Sequence, residues 1–151
     1  MMGASGQKSY LPEGLPIPVA PRDGLGAEYF EAAARQELVA QRCNTCREWQ
    51  WGPEWICHAC HAFDVGYETV SGRGLIFSWE RSWYPVHAAL RDAVPYVVVL
   101  VELPDAGGVR MVGNLLGDPQ QEIAIGSEVE AVFEDHPNSE PPHTLVQWRV
   151  V

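Results

Sequence analysis

Residues Cys43–Cys60, CNTCREWQWGPEWICHAC, decide the fold of this chain. Two Cys-x-x-Cys pairs, Cys43/Cys46 and Cys57/Cys60, stand ten residues apart, and no other cysteine exists. Each pair puts two sulfurs on one tight turn, close enough to share a metal. Two such turns offer four thiolates, the tetrahedral shell that structural Zn²⁺ takes. A complete shell leaves no open position for water, so the expected ion is structural, one per chain, and not catalytic. Rubredoxin-type iron uses similar spacing and is the competing metal. Disulfides would need an oxidising compartment. The first 25 residues lack the apolar core of a signal peptide. His58 and His61 sit beside the second pair and are bystanders to a full Cys₄ set.

Trp49, Trp51 and Trp55 lie between the pairs. One reading has them cover a ribbon too small to build its own core. The other makes them a partner interface, because Trp is enriched at binding hot spots.

Outward from the ribbon, residues 1–25, with Pro12, Pro16, Pro18 and Pro21, are expected to form an extended arm. Residues 26–40, with AEYFEAAARQELVA from Ala27, predict a helix of good helix formers with Glu28 and Glu31 in the early turns. Residues 41–63 are assigned to the ribbon and 64–151 to an antiparallel barrel. Strands are expected at Val65–Ser71, Gly74–Tyr84, Tyr96–Leu103, Val109–Asn114, Glu128–Glu134 and Thr144–Val151. In Gly74–Tyr84, Leu75, Phe77, Trp79, Arg81 and Trp83 alternate with Ile76, Ser78, Glu80, Ser82 and Tyr84. Tyr96–Leu103, YVVVLVEL, predicts burial on both faces. The fold class is therefore mainly β: an N-terminal helix, a Cys₄ zinc ribbon and a five- to six-stranded OB-fold barrel.

Composition restricts the function. A chain of 151 residues, 46% hydrophobic and 20% charged, suits a soluble globular protein with a real core. No apolar run approaches the roughly 18–20 residues that span a bilayer, so no membrane partner is expected and the compartment is expected to be cytoplasmic. The formal net charge of −10 repels a phosphate backbone, which argues against nucleic acid. Once zinc claims the four cysteines, no thiol nucleophile remains. The sequence has no Ser in a G-x-S-x-G elbow and no Walker-type phosphate loop. His87, near Arg91 and Asp92, is the remaining general-base candidate, and a surface-loop role suits it better. No catalytic residue is assigned.

The order of parts resembles the DUF35 family, rubredoxin-like zinc-ribbon and OB-fold proteins associated with acyl-CoA metabolism. The resemblance runs over about residues 28–150 and rests on YFEAAARQELVAQRC, Arg42-Cys43, Pro53, Gly72-x-Gly74, Pro95-Tyr96, Val101-Glu102-Leu103, Gly126, Val129 and Phe133. Two features depart from it: Pro104-Asp105-Ala106-Gly107-Gly108 stands where Asp-Glu-Gly often follows, and the ribbon is richer in Trp. The resemblance implies an accessory subunit of a thiolase-like enzyme: a thiolase, a retro-aldolase of steroid side-chain breakdown, or an acyltransferase, in lipid or aromatic degradation. Such proteins stabilise the catalytic partner, can help hold the CoA thioester, and are sometimes fused to or bound beside hydratases. Arg73, Arg81 and Arg110 are the candidates for CoA phosphates. The alternative is a free-standing OB-fold binder of CoA or single-stranded nucleic acid.

Overall fold

The computed structural model describes residues 9–19 and 24–151. The described part of the arm, 9–19, contains no helix or strand, and Pro21 lies outside the described residues. Helix α1 spans Ala27–Ala34. It is shorter than the expected 26–40. Its end is a Schellman closure, in which the N–H groups of Gln36 and Glu37 donate to Ala33 O (2.9 Å) and Ala32 O (3.0 Å). Gln36 takes the left-handed turn, at φ 64°, that glycine would usually supply. The last three residues of the expected helix, Leu38, Val39 and Ala40, instead open strand β1, Leu38–Cys43, of which every residue but Arg42 is buried. Pairing of β1 on both sides in a sheet, with burial of Leu38, Val39 and Ala40, overrides the helix preference of these residues.

β1 is the centre of a three-stranded antiparallel sheet, between β2 (Trp49–Gln50) and β3 (Val65–Val70). The register from Leu38↔Val70 to Cys43↔Val65 assigns β3 to the ribbon sheet, where the sequence had placed it in the barrel.

The barrel is a five-stranded sheet in the order β6-β5-β4-β7-β8. Its strands are β4 (Arg73–Ser82), β5 (Tyr96–Leu103), β6 (Val109–Asn114), β7 (Glu128–His136) and β8 (His143–Val150). A single parallel bridge, Leu115↔Trp148, all but closes it. β4 does not alternate through its length. A bulge between Ile76 and Ser78 shifts the register, so Ile76 points into the core, Phe77 is extruded and Trp79 packs against the core again. β5 is not buried on both faces: Val97, Val99, Val101 and Leu103 are wholly buried, and the residues between them are half-exposed. These four, with Ile76, Met111, Leu115, Val129 and Trp148, make the barrel core, and Leu38, Ala40 and Val70 of the ribbon sheet join the same cluster.

Trp148 needs a bare neighbour. A Cβ on Gly113 would fall 2.7 Å from the Trp148 ring and 3.0 Å from Val146 O, so only glycine lets β6 approach β8 here. Among the described residues, no helix is long and apolar enough to cross a membrane.

Candidate metal centre

Cys43 closes β1, and the chain then folds back as a knuckle. Cys43 N–H donates to Glu48 O (2.9 Å) and Arg47 N–H to Cys43 O (3.0 Å). The second knuckle repeats this pattern: Cys57 N–H to Ala62 O (2.9 Å) and His61 N–H to Cys57 O (3.0 Å). Arg47 and His61 each follow the second cysteine of a pair, and both are left-handed, at φ 66° and 61°. That curl turns both sulfurs of each pair inward.

All four Sγ atoms lie within 4.8 Å of one another. Cys43–Cys60 and Cys46–Cys57 are each 3.6 Å apart. A tetrahedron with Zn–S near 2.3 Å has edges of about 3.8 Å, whereas a disulfide would need about 2.05 Å. The cluster therefore fits one metal ion and excludes disulfides. Cys43 and Cys57 are buried and Cys46 and Cys60 face solvent. Charge points the same way. The Cys46 backbone N–H is the main cause that holds the Cys43 thiol down at about 6. The Glu48 N–H works to lower Cys46 too, but burial and three neighbouring sulfurs push it up to about 12. Sulfurs this close cannot all ionise without a cation, and Zn²⁺ supplies it. The ion is structural. His58 and His61 stay outside the cluster.

Two buried glutamines hold the knuckles in place, and the sequence reasoning missed them. Gln41 and Gln50 are directly paired across β1 and β2. Gln41 donates to Glu54 O (2.9 Å) and accepts from Glu54 N–H (3.0 Å) and from Gln50 Nε2 (2.5 Å). Gln50 also donates to Ile56 O (3.2 Å) and accepts from His58 N–H (3.1 Å). Together they satisfy the backbone of the loop that leads into Cys57. Their available signal was position: each lies on a short segment beside a cysteine pair, where a polar side chain faces inward. Glu68 of β3 bridges Arg42 (2.9 Å) and Arg47. Those two arginines hold its carboxyl below the ordinary range.

The three tryptophans separate. Trp49 lies under the Arg42 guanidinium (4.5 Å to the ring centroid) and packs so closely on Gly107 that a Cβ there would come within 2.8 Å. Trp51 meets Tyr29 of α1 edge-on at 5.0 Å. Both are used inside the chain, seating the ribbon on the barrel turn and the helix. Trp55 is 57% exposed, and Phe63 beside the second knuckle is 79% exposed.

The three arginines do not converge. Arg73 and Arg81 sit at opposite ends of β4, about 26 Å apart at 3.3 Å per residue. Arg81 donates to Pro119 O (2.7 Å) and Gln121 O (2.6 Å), so its guanidinium pins a loop. Arg110 pairs with Glu102 (3.0 Å) over the Phe77 ring. Arg73 lines a shallow cleft of about 210 Å³ with Ser71, Gly74, Leu75, Asp105 and Glu128. His87 accepts from Ala89 N–H (3.1 Å) and caps a 3-10 turn.

Comparison with known proteins agrees with this geometry. Residues 30–66 match the family model "ChsH2, rubredoxin-like zinc ribbon domain" and residues 67–134 match "ChsH2, C-terminal OB-fold domain". A "DUF35 domain-containing scaffold protein" of Methanocaldococcus jannaschii is 30% identical over 101 residues, 64% of this chain and 67% of the relative. The chain belongs to the DUF35 family. Another relative is a "Probable enoyl-CoA hydratase alpha subunit" of Thermomonospora curvata, 36% identical over 144 residues, or 95% of this DUF35 chain. The chain spans 42% of that relative's length. The solved structure "Ltp2-ChsH2(DUF35) aldolase" superposes with a TM-score of 0.74 at 34% identity, covering 89% of this chain and 98% of that one. In this DUF35 protein the boundary between the two matched models falls inside β3, on which the ribbon sheet leads into the barrel.

Proposed function

We propose that this chain is the non-catalytic small subunit of a thiolase-like complex acting on acyl-CoA thioesters. The observation that carries the reading is its likeness, over nearly the full length of the solved DUF35 chain, to the Ltp2-ChsH2(DUF35) aldolase. The site chemistry supports it: the thiols are spent on zinc, and the general-base candidate His87 is spent on a cap. The catalytic groups then belong to the partner. Any CoA contact on this chain falls to the Arg73 cleft. Asp105 and Glu128 line that cleft, so it suits the neutral amide arm of a thioester and not its phosphates. Trp55 and Phe63 are the apolar side chains the ribbon offers to a partner.

Affinity purification from the native cell, with mass spectrometry of bound proteins, tests this reading. A stoichiometric thiolase-like protein is expected, and a clean monomer would overturn it. Trp55→Ala should then weaken the complex about tenfold or more and leave the melting temperature unchanged. Trp51→Ala should lower the melting temperature instead, because it removes a packed internal ring. Equal assembly of Trp55→Ala and wild type would remove the ribbon from the interface.

A further inference from the structure

The weakest line of the barrel is the seam between β6 and β8. The other neighbouring strands share between three and eight paired positions, whereas β6 and β8 share none and are joined by the single bridge from Leu115, just past β6, to Trp148. One further backbone bond crosses there, from Leu116 N–H to Trp148 O (2.7 Å). Trp148 Nε1, the buried side-chain donor without a partner among the described residues, lies on the same seam.

A ring of polar groups crosses this gap, and the arm is one of its links. Asn114 N–H at the end of β6 donates to Gln147 Oε1 of β8 (3.0 Å). Gln147 Nε2 donates to Glu134 Oε2 (3.4 Å). Tyr10 N–H of the arm donates to the same oxygen (3.2 Å). The Tyr10 hydroxyl accepts from Val97 N–H at the start of β5 (3.4 Å), and Val97 O accepts from Asn114 Nδ2 (3.1 Å), which completes the ring. Glu134 is 3% exposed, and its other oxygen meets His136 Nε2 (2.7 Å) and Ser9 Oγ (3.1 Å). A buried carboxylate needs its donors, so losing Ser9 and Tyr10 leaves it under-satisfied. The described part of the arm, residues 9–19, has no ladder or helix bonds to hold it.

We propose that residues 9–10 are a releasable clasp on the barrel, closing the β6–β8 seam through Glu134, and that the barrel opens along this seam when the arm lifts. The clasp holds the start of β5 and the end of β6 against the β7–β8 hairpin, while the ribbon and the β4–β5 core do not depend on it.

Amide hydrogen exchange on the zinc-loaded full chain, on Tyr10→Phe and on a chain lacking residues 1–12 tests the clasp. The shortened chain should exchange at Val97, Asn114, Leu115 and Leu116 about tenfold faster or more, with Val99, Val101, Cys43 and Cys57 unchanged. Tyr10→Phe should speed Val97 alone. Adding a peptide of residues 1–12 at saturating concentration should restore protection. Unchanged seam amides in the shortened chain, unchanged Val97 in Tyr10→Phe, or uniform acceleration over the whole chain would overturn the proposal. A shortened chain that fails to fold would overturn it as well, since the arm would then be a folding element and not a clasp.

Discussion

His61 occupies the left-handed turn after Cys60 with an exposed side chain. Left-handed backbone costs a residue with a Cβ about 1–2 kcal/mol, and glycine escapes it. His61→Gly should therefore raise stability by about 1 kcal/mol in the zinc-loaded protein, read as a higher melting temperature at unchanged metal content. A fall in zinc occupancy would instead mean that the imidazole assists the site. Arg47 is a poorer place for the same change, because its guanidinium also holds Glu68. At this scale the four ligands were legible, because ligand spacing is written in the chain. The glutamines were not, because the pairing of Gln41 with Gln50 appears only when β1 and β2 are laid side by side. The role of Arg81 was hidden for the reverse reason: charge is visible in a sequence, but the loop carbonyls that this guanidinium meets are not.

The ribbon is the element whose folding depends on metal. Its sheet is small, its knuckles are loops, and its two buried sulfurs, Cys43 and Cys57, have only weak backbone donors, Cys46 N–H (3.5 Å) and Ala59 N–H (3.4 Å), besides the other thiols. Metal binding and local folding are then one event. Cys43→Ser combined with Cys46→Ser should abolish zinc binding and expose the backbone of residues 41–62 to protease. A chelator acting on wild type should give the same cleavage pattern. A variant that keeps full zinc and resists cleavage would refute the ligand set. Element boundaries were legible where a pattern stops abruptly, as at Tyr96 and Leu103 of β5. They were hidden at the end of α1, where Gln36 does the work of a glycine, and in β4, where one extruded Phe77 resets the alternation. Neither event changes the composition around it.

For the whole molecule, Tyr29 links the parts, since its ring meets both Phe30 of α1 and Trp51 of the ribbon. Burial pushes its hydroxyl up to about 12. The fold favours the neutral phenol, so its contribution is complete below about pH 10, the ordinary tyrosine value, and is lost as the pH climbs toward 12. That loss amounts to about 3 kcal/mol at most. Urea midpoints at pH 9 and pH 11.5 should fall further in wild type than in Tyr29→Phe, and parallel falls would show that Tyr29 does not titrate with unfolding. The helix, ribbon and barrel were all foreseen as parts. Their joints were not, because a joint is made by residues far apart in the chain.

One such joint sets how this protein can be inherited. The Trp49 ring rests on Gly107, a glycine that has to stay bare, so the ribbon and the barrel turn are matched surfaces of one chain. A recombination event that exchanged only the ribbon, or only the barrel, would bring together a foreign indole and a foreign turn. Hybrids of this family are therefore best cut outside residues 41–114, so that both surfaces come from one parent. A gene that fuses this module to another enzyme must carry the pair intact.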